Sequence, residues 1–285
     1  MSPVEIDHNS ALTAEALVPR ICKVQSITPQ TSDVVSIRLT TMDDAKPFDA
    51  KPGQTAMLSV LPYGESMFAV SSQGADYVEV TVKRVGFVTE QIHALRAGDQ
   101  VGLRGPYGNW FPYEELKGRD VLLVGGGIGM APLRALLTYM FDRRADYGRI
   151  DLVYSGSTVD DLVYYDDITN VWPQLDDVHI HLSVYRESPD WTGEVCFTAP
   201  FLESLGIEPK GRVVVLCGGP SLFKTCLESL EHMGFAEDDI ITTLEMKMKC
   251  GIGKCGRCNV GGKYICLDGP VFTMKELHSM PYKEH

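Results

Sequence analysis

The sequence predicts three units: an antiparallel β-barrel, an α/β domain built on a parallel sheet, and a small cysteine-rich lobe at the C-terminus. Residues 19–103 hold short segments rich in Val, Ile and Thr between turn signals such as Pro52-Gly53 and Gln73-Gly74, the pattern of antiparallel strands. Residues 120–233 alternate apolar strands with helical stretches, which implies a parallel sheet covered by helices. Residues 250–266 carry four of the eight cysteines in a C-x4-C-x2-C-x7-C array. The expected boundaries are an arm at 1–18, the barrel at 19–115, the α/β domain at 116–239 and the lobe at 240–285.

The arm has Glu5 and Asp7 ahead of a mild apolar patch and no basic segment, so it reads as a partner contact rather than a signal peptide. Strands are expected at 20–27, 34–40, 54–60 and 77–85. In the last, Val78, Val80 and Val82 alternate with Glu79, Thr81 and Lys83, giving one apolar and one polar face. A helix at 90–96 interrupts the strands, entered through Gly86-Phe87-Val88-Thr89 and stopped by Gly98. Free N–H groups and the positive dipole end at such a start suit an anion; a plain N-cap by Thr89 is the alternative. Gly105-Pro-Tyr-Gly-Asn-Trp-Phe111 reads as a hairpin end.

A linker at 116–119 leads to an apolar strand at 120–125. Gly125-Gly126-Gly127-Ile128-Gly129 follows, then a helix from Met130 to about residue 144 with Pro132 in its first turn. The run is close to G-x-G-x-x-G without matching it; bare backbone between strand and helix lets a pyrophosphate reach the helix N-terminus. Strands at 150–154, 178–185, 212–218 and 240–244, with helices at 160–171 and 220–233, complete the units. Ligands of such sheets sit beyond the carboxyl ends of the strands. That rule gathers residues 125–129, 155–158 and 217–220 around one crevice. His179 and His181 read as ordinary strand residues.

Four thiolates on one short loop can grip a compact metal centre. Gly251, Gly253 and Gly256 let the backbone wrap closely and turn its N–H groups toward the sulfurs. The first three cysteines match the C-x4-C-x2-C run of plant-type [2Fe–2S] ferredoxins, although the fourth follows sooner. A structural zinc site or a disulfide framework is the alternative. Lys249 and Arg257 place positive charge beside the loop, or are solvated surface charges.

Composition narrows the classes. A chain of 285 residues has room for two or three domains. No apolar run reaches the ~18 residues that span a membrane. A net charge of −12 argues against a nucleic-acid footprint. Cysteines clustered as for a metal point to a reducing compartment, hence the cytoplasm.

Barrel, glycine-rich turn and α/β domain in this order resemble the ferredoxin–NADP reductase superfamily. The tail from Leu244-Glu245-Met246 through Cys250, Cys255, Cys258 and Cys266 to Asp268-Gly-Pro-Val-Phe272 narrows the likeness. It resembles the gamma subunits of cytoplasmic nickel–iron, sulfhydrogenase-type hydrogenases. The electron-transfer subunit of dihydroorotate dehydrogenase and its counterpart in anaerobic sulfite reductase are close relatives. The likeness covers residues 19–275.

The resemblance implies FAD on the barrel, NAD(P)H on the α/β domain and a [2Fe–2S] cluster on Cys250, Cys255, Cys258 and Cys266. Gly86, Val88 and Thr89 would hold the flavin pyrophosphate, and Gly105 to Gly108 would border the flavin. Gly126, Gly127, Gly129 and Met130 would line the nicotinamide nucleotide. Cys217, Gly218 and Gly219 would lie near the nicotinamide, with Cys217 as strand filler the alternative. Glu245 would orient nicotinamide or relay a proton, or else sit on the surface. Where the superfamily carries Arg-x-Tyr-Ser, this chain has Ser66-Met-Phe68-Ala69, followed by Val70 and Ser71. Phe68 can still pack on a flavin ring, and backbone groups of Ala69, Val70 and Ser71 can replace the missing hydroxyl; the departure leaves FMN as the alternative to FAD. Arg186 would bind a 2′-phosphate, which Asp160 and Asp161 would oppose, so NAD and NADP both stay open. The implied activity is hydride exchange between NAD(P)H and flavin, with single electrons leaving through the cluster to partner subunits of a larger redox complex. A non-catalytic electron shuttle is the contrasting expectation.

Overall fold

The computed structural model describes residues 14–280. Most of the expected arm, residues 1–13, lies outside them. No helix among the described residues is long and apolar enough to cross a membrane.

Six strands make the first unit: β1 (Arg20–Pro29), β2 (Val34–Thr41), β3 (Thr55–Val60), β4 (Gly64–Gln73), β5 (Val78–Lys83) and β6 (Gln100–Tyr107), with helix α1 (Phe87–His93) before the last. They close into an antiparallel barrel in the order β1-β2-β5-β4-β3-β6, and β6 returns to pair with β1. Ile37, Leu39, Leu58, Val78, Val80 and Leu103 fill it. Two strands lie beyond the four expected. In β4, polar Glu65, Ser66 and Ser71 blur the alternation, and β6 is broken by Gly102 and Gly105.

The polar face of β5 is not solvated. Glu79 and Thr81 are buried because this face meets the second unit. Arg134 donates to Glu79 at 2.7 Å, Arg38 donates to the same carboxylate at 2.9 Å, and the Tyr164 hydroxyl donates to Thr81 at 2.6 Å. A period-two pattern reports which face suits water, not what covers it.

The second unit contains β7 (Asp120–Gly126), α2 (Met130–Phe141), β8 (Ile150–Gly156), β9 (Val178–Val184), β10 (Glu194–Val195), α3 (Thr198–Ser204), β11 (Arg212–Cys217), α4 (Pro220–His232) and β12 (Ile240–Thr243). The remaining elements are β13 (Asn259–Val260), β14 (Lys263–Tyr264), α5 (Ile265–Asp268), β15 (Val271–Thr273) and α6 (Met274–Ser279). The large sheet runs β10-β9-β8-β7-β11-β12-β15; all neighbours are parallel except β15, which lies antiparallel on the edge. The cysteine lobe is therefore an excursion between two strands of the nucleotide-type sheet. The boundary expected at 239/240 falls where β12 is already hydrogen-bonded to β11.

The helix expected at 160–171 does not form as one piece. A 3-10 turn (Val159–Asp161) is followed by Tyr164 at φ 59°, then a π-helical turn (Asp167–Val171). Tyr164 takes this left-handed backbone because its ring is buried under the Arg134 guanidinium and its hydroxyl reaches the barrel. Tertiary anchoring overrides local propensity here. The segment 105–111 is likewise not a hairpin end. The Asn109 side chain donates to the carbonyls of Asp268 and Val271 at 3.0 and 2.7 Å and accepts from Val271 N–H at 2.8 Å. It clamps the cysteine lobe to the barrel.

Asp151 is fully buried between Arg149, His181 and Arg212, its bonds from Arg149 and His181 measuring 2.8–3.0 Å. Burial opposes its ionisation, yet the bonds from His181, Arg149 and Arg212 outweigh it and hold the carboxyl well below the usual range. The stabilisation is thus present above the unfolded-state pKa of about 3.9 and is lost as pH falls below it. Asp151→Asn is expected to lower unfolding free energy at pH 7 by about 3–5 kcal/mol, with the gap from wild type closing below about pH 4. Urea titrations at several pH values check this; a pH-independent gap counts against the ion cluster.

Candidate functional site

Three surfaces carry the candidate residues: one on the barrel, one at the carboxyl ends of the parallel strands, and the cysteine loop docked on the barrel.

On the barrel, β4 pairs with β3 so that Phe68 faces Ala56 and Ala69 faces Thr55. Phe68 and Ala69 are half-buried, whereas Val70 points into the core. The Ser71 hydroxyl is committed inside the protein, donating to the Glu79 carbonyl at 3.2 Å and lying 2.9 Å from the Thr81 hydroxyl. The whole residue, backbone included, is buried, so Ser71 braces the strand and reaches no ligand. At the start of α1, Thr89 accepts the N–H groups of Val85 and Gly86 at 2.9 Å and donates to the Gly86 carbonyl at 2.7 Å. Thr89 is therefore not the N-cap: Gly86 holds that place, Thr89 is the third helical residue reaching back to it, and the helix begins at Phe87 rather than at 90, its first intrahelical bond coming from Glu90 N–H. The Val88 side chain lies against Gly64, which sets α1 beside the first residues of β4. Gly105 sits against Thr55 and Ala56 of β3.

Beyond β7, β8 and β11 opens a cavity of about 720 Å³. Gly126, Gly127, Ser157 and Gly219 line it from the sheet side, and Thr31, Asp33 and Lys83 line it from the barrel. Gly129 and Met130 do not line it. A Cβ on Gly129 would stand 2.4 Å from the Cys217 carbonyl oxygen, so this glycine serves strand–turn packing, and Met130 is a core side chain. Gly218 packs under Leu222. Arg186 reaches the rim, 3.4 Å from the Ser157 hydroxyl, while Asp161 on the same cavity accepts from Thr158 N–H at 2.9 Å. Asp160 is exposed. Sequence reasoning missed Tyr185 and Phe197, whose rings meet at a tilt, centroids 4.9 Å apart, on the cavity wall. Phe197 lies in an irregular stretch with no periodic signal to single it out.

Cys217 ends β11 and is fully buried, its sulfur accepting from the Thr243 hydroxyl at 3.4 Å. Burial pushes its thiol up to about 12, so it stays neutral and is no thiolate nucleophile. Glu245, an exposed residue near Cys217, has its pKa raised by the protein packed around its carboxyl.

All eight cysteines are free thiols. In the loop, the sulfur of Cys250 accepts N–H bonds from Ile252, Lys254 and Cys255 at 3.3–3.4 Å, and Cys266 accepts from Gly253 at 3.2 Å. Gly251, Gly253 and Gly256 all adopt φ of 70–77°, which turns these amides inward. Burial opposes ionisation of Cys250, but the amides win and bring its thiol to about 7. The sulfurs gather in two pairs. Cys258 and Cys266 are 3.4 Å apart and buried, and the Cys255 thiol hydrogen-bonds Cys250 nearer the surface. No three His, Cys, Asp or Glu among the described residues converge as ligands of one ion. Burial pushes the Cys266 thiol up to about 12, so on its own it stays neutral. Four sulfurs arranged as two pairs, rather than around one point, suit the donor set of a two-iron cluster that would deprotonate them.

The residue that docks this loop was not singled out in the sequence. Arg104 on β6, only 5% exposed, donates to both Glu65 oxygens at 2.9 Å and to the Cys250 carbonyl at 3.1 Å. Ile252 is buried against Met57 and Tyr107 beside it, and a Cβ on Gly251 would meet the Tyr107 ring at 2.8 Å.

Residues 245–278 match the iron–sulfur cluster binding domain of dihydroorotate dehydrogenase B, and 123–228 match the oxidoreductase NAD-binding domain. The chain is 37% identical to the sulfhydrogenase 1 subunit gamma of Pyrococcus furiosus, covering 92% of each chain. The chain belongs to the family of sulfhydrogenase gamma and dihydroorotate dehydrogenase B electron-transfer subunits. A probable member from Methanocaldococcus jannaschii, an electron transfer subunit of dihydroorotate dehydrogenase B (NAD(+)), is 31% identical over 89% of each. A chain of the NADH-dependent reduced ferredoxin-NADP oxidoreductase shares the fold at TM-score 0.74 and 23% identity, covering 90% of this chain and 88% of its own. The two sulfur pairs thus fall within the residues that match the iron–sulfur cluster binding domain.

Removing the Arg104 guanidinium strands Glu65 and the Cys250 carbonyl. Arg104→Leu is expected to weaken docking of the loop by about 3 kcal/mol, roughly a hundredfold, at about 1.5–3 kcal/mol per charged bond lost. Iron loss to a chelator, followed optically, should accelerate accordingly; an unchanged rate would show that the loop holds itself.

Proposed function

We propose that this chain is the diaphorase subunit of a multi-subunit redox complex in the cytoplasm, its partners being the iron–sulfur and catalytic subunits of a nickel–iron hydrogenase. The observation that carries this is the lobe itself: its cysteines are strung between two strands of the nucleotide-type sheet yet docked on the barrel through Arg104 and Asn109. When bound, FAD would exchange a hydride with NAD(P)H and a [2Fe–2S] cluster would carry single electrons to the partner.

The chain's own residues have the following parts. Val88 and Thr89 offer the N–H groups ahead of Glu90 to the flavin pyrophosphate, and Gly86, its own N–H held by the Thr89 hydroxyl, gives bare backbone beside them. Phe68 supplies an apolar face to the ring, with the backbone of Ala69 beside it and Gly105 at its border, while Val70 and Ser71, buried, brace that strand from within the barrel. Gly126, Gly127 and Gly219 bring bare backbone to the dinucleotide, with Arg186 at the mouth against Asp161. Gly129, Met130 and Gly218 support that turn from behind. Cys217, neutral and buried, closes the inner end and keeps water out. Glu245, with its raised pKa, is the group able to hold a proton there. Cys250, Cys255, Cys258 and Cys266 hold the cluster. The match over 245–278 favours, as second reading, the equivalent subunit of a dihydroorotate dehydrogenase.

Anaerobically purified chain is expected to bind one FAD, to contain iron and sulfide in equal amounts, and to reduce a dye with NADH or NADPH. Cys255→Ser should lose iron and electron delivery to a one-electron protein acceptor while keeping at least about a tenth of dye reduction by flavin. Bound flavin without any dye reduction would leave a non-catalytic shuttle; zinc without iron would end the cluster assignment.

A further inference from the structure

Residues 246–267 contain Lys247, Lys249, Lys254, Arg257 and Lys263 and not one Asp or Glu. Set against the chain's net charge of −12, these five positive charges leave −17 on all the other residues. Such a reversal of sign, confined to one short stretch, calls for a cause.

The fold turns these charges outward. Along 244–249, Leu244, Met246 and Met248 pack into the lobe's core, while Lys247 and Lys249 are exposed. Lys254 and Arg257 flank Cys255, the one exposed cysteine of the loop. Lys263 stands at the start of β14 with Asp268 3.3 Å away. The inner side needs none of them, because Arg104 already serves it.

Neutralising the metal centre does not account for five cations. Two ferric irons, two sulfides and four thiolates sum to a formal charge of about −2, which Lys254 and Arg257 alone would match. The excess lies exposed on the same lobe as Cys255, the one exposed cysteine of the loop and so the most direct way out for an electron. Clustered charge of one sign steers a partner of the opposite sign and raises its on-rate by about 10–10³.

We infer that the exposed edge of the cysteine lobe is a docking surface for an acidic electron-transfer protein or subunit, one whose own redox centre lies beneath a carboxylate-rich surface. This rests on the iron–sulfur reading above. The −17 on the remaining residues sets an extended polyanion or an anionic membrane at a disadvantage, since either would overrun the small basic edge.

The test uses the cluster-loaded chain and an acidic plant-type ferredoxin as probe, with a basic cytochrome c as control. Ferredoxin binding, measured by calorimetry without turnover, should weaken at least tenfold between about 50 and 500 mM salt. The variant K247E/K249E should bind it at least tenfold more weakly, with iron content and dye reduction unchanged, and K247R/K249R should restore binding. Cytochrome c should show no such loss. Should the reversed variant fail to load iron, the salt series on the wild type decides. Salt-independent ferredoxin binding, unchanged binding by an iron-loaded K247E/K249E variant, or tighter binding of duplex DNA or phosphatidylserine vesicles would overturn the inference. Failure of dye reduction with ferredoxin binding intact would strike the proposed activity and leave the docking surface standing.

Discussion

One guanidinium decides where the cysteine loop sits. Arg104 reaches from β6 to the Glu65 carboxylate on β4 and to the Cys250 carbonyl of the loop. Its charge is nearly buried, so it must be paired on every side, and that need dictates the spacing of all three groups. The loop is covalently part of the sheet unit, entering after β12 and returning at β15, yet its closest polar anchors are on the barrel. Barrel, sheet and thiolates are thereby held as one arrangement.

A second buried ion pair does the same work on the other side of the barrel. Glu79 accepts from Arg38 of its own barrel and from Arg134 of α2. Replacing such a network with apolar groups would cost little stability, so its value lies in geometry: charged bonds tolerate few alternative registers. The cavity beyond β7, β8 and β11, lined from both units, depends on that register.

Much of this was legible in the sequence. The Val/Ile/Thr strands, the strand-to-helix glycine turn and the cysteine spacing each reflect local rules of backbone and donor chemistry. The places where expectation failed share one cause. The polar face of β5, the broken helix around Tyr164 and the Gly105–Phe111 segment are all set by residues distant in sequence. Tyr164 gives up helical backbone for a hydroxyl bond to Thr81, and Asn109 turns a presumed hairpin into a clamp. Met130 and Gly129 stood beside the crevice in sequence, but helix geometry faces one into the core and presses the other on β11.

By itself, then, the sequence determined the chemistry the chain can hold, because ligand type, glycine placement and charge are properties of the residues. It also determined the order of barrel, sheet and lobe, because hydrophobic period is local. Only the tertiary structure decided that Cys217 is a sealed, neutral thiol, that Arg104 holds the thiolate loop, and that the cations around Cys255 face water. Burial, pairing and exposure belong to neighbours the chain meets only when folded.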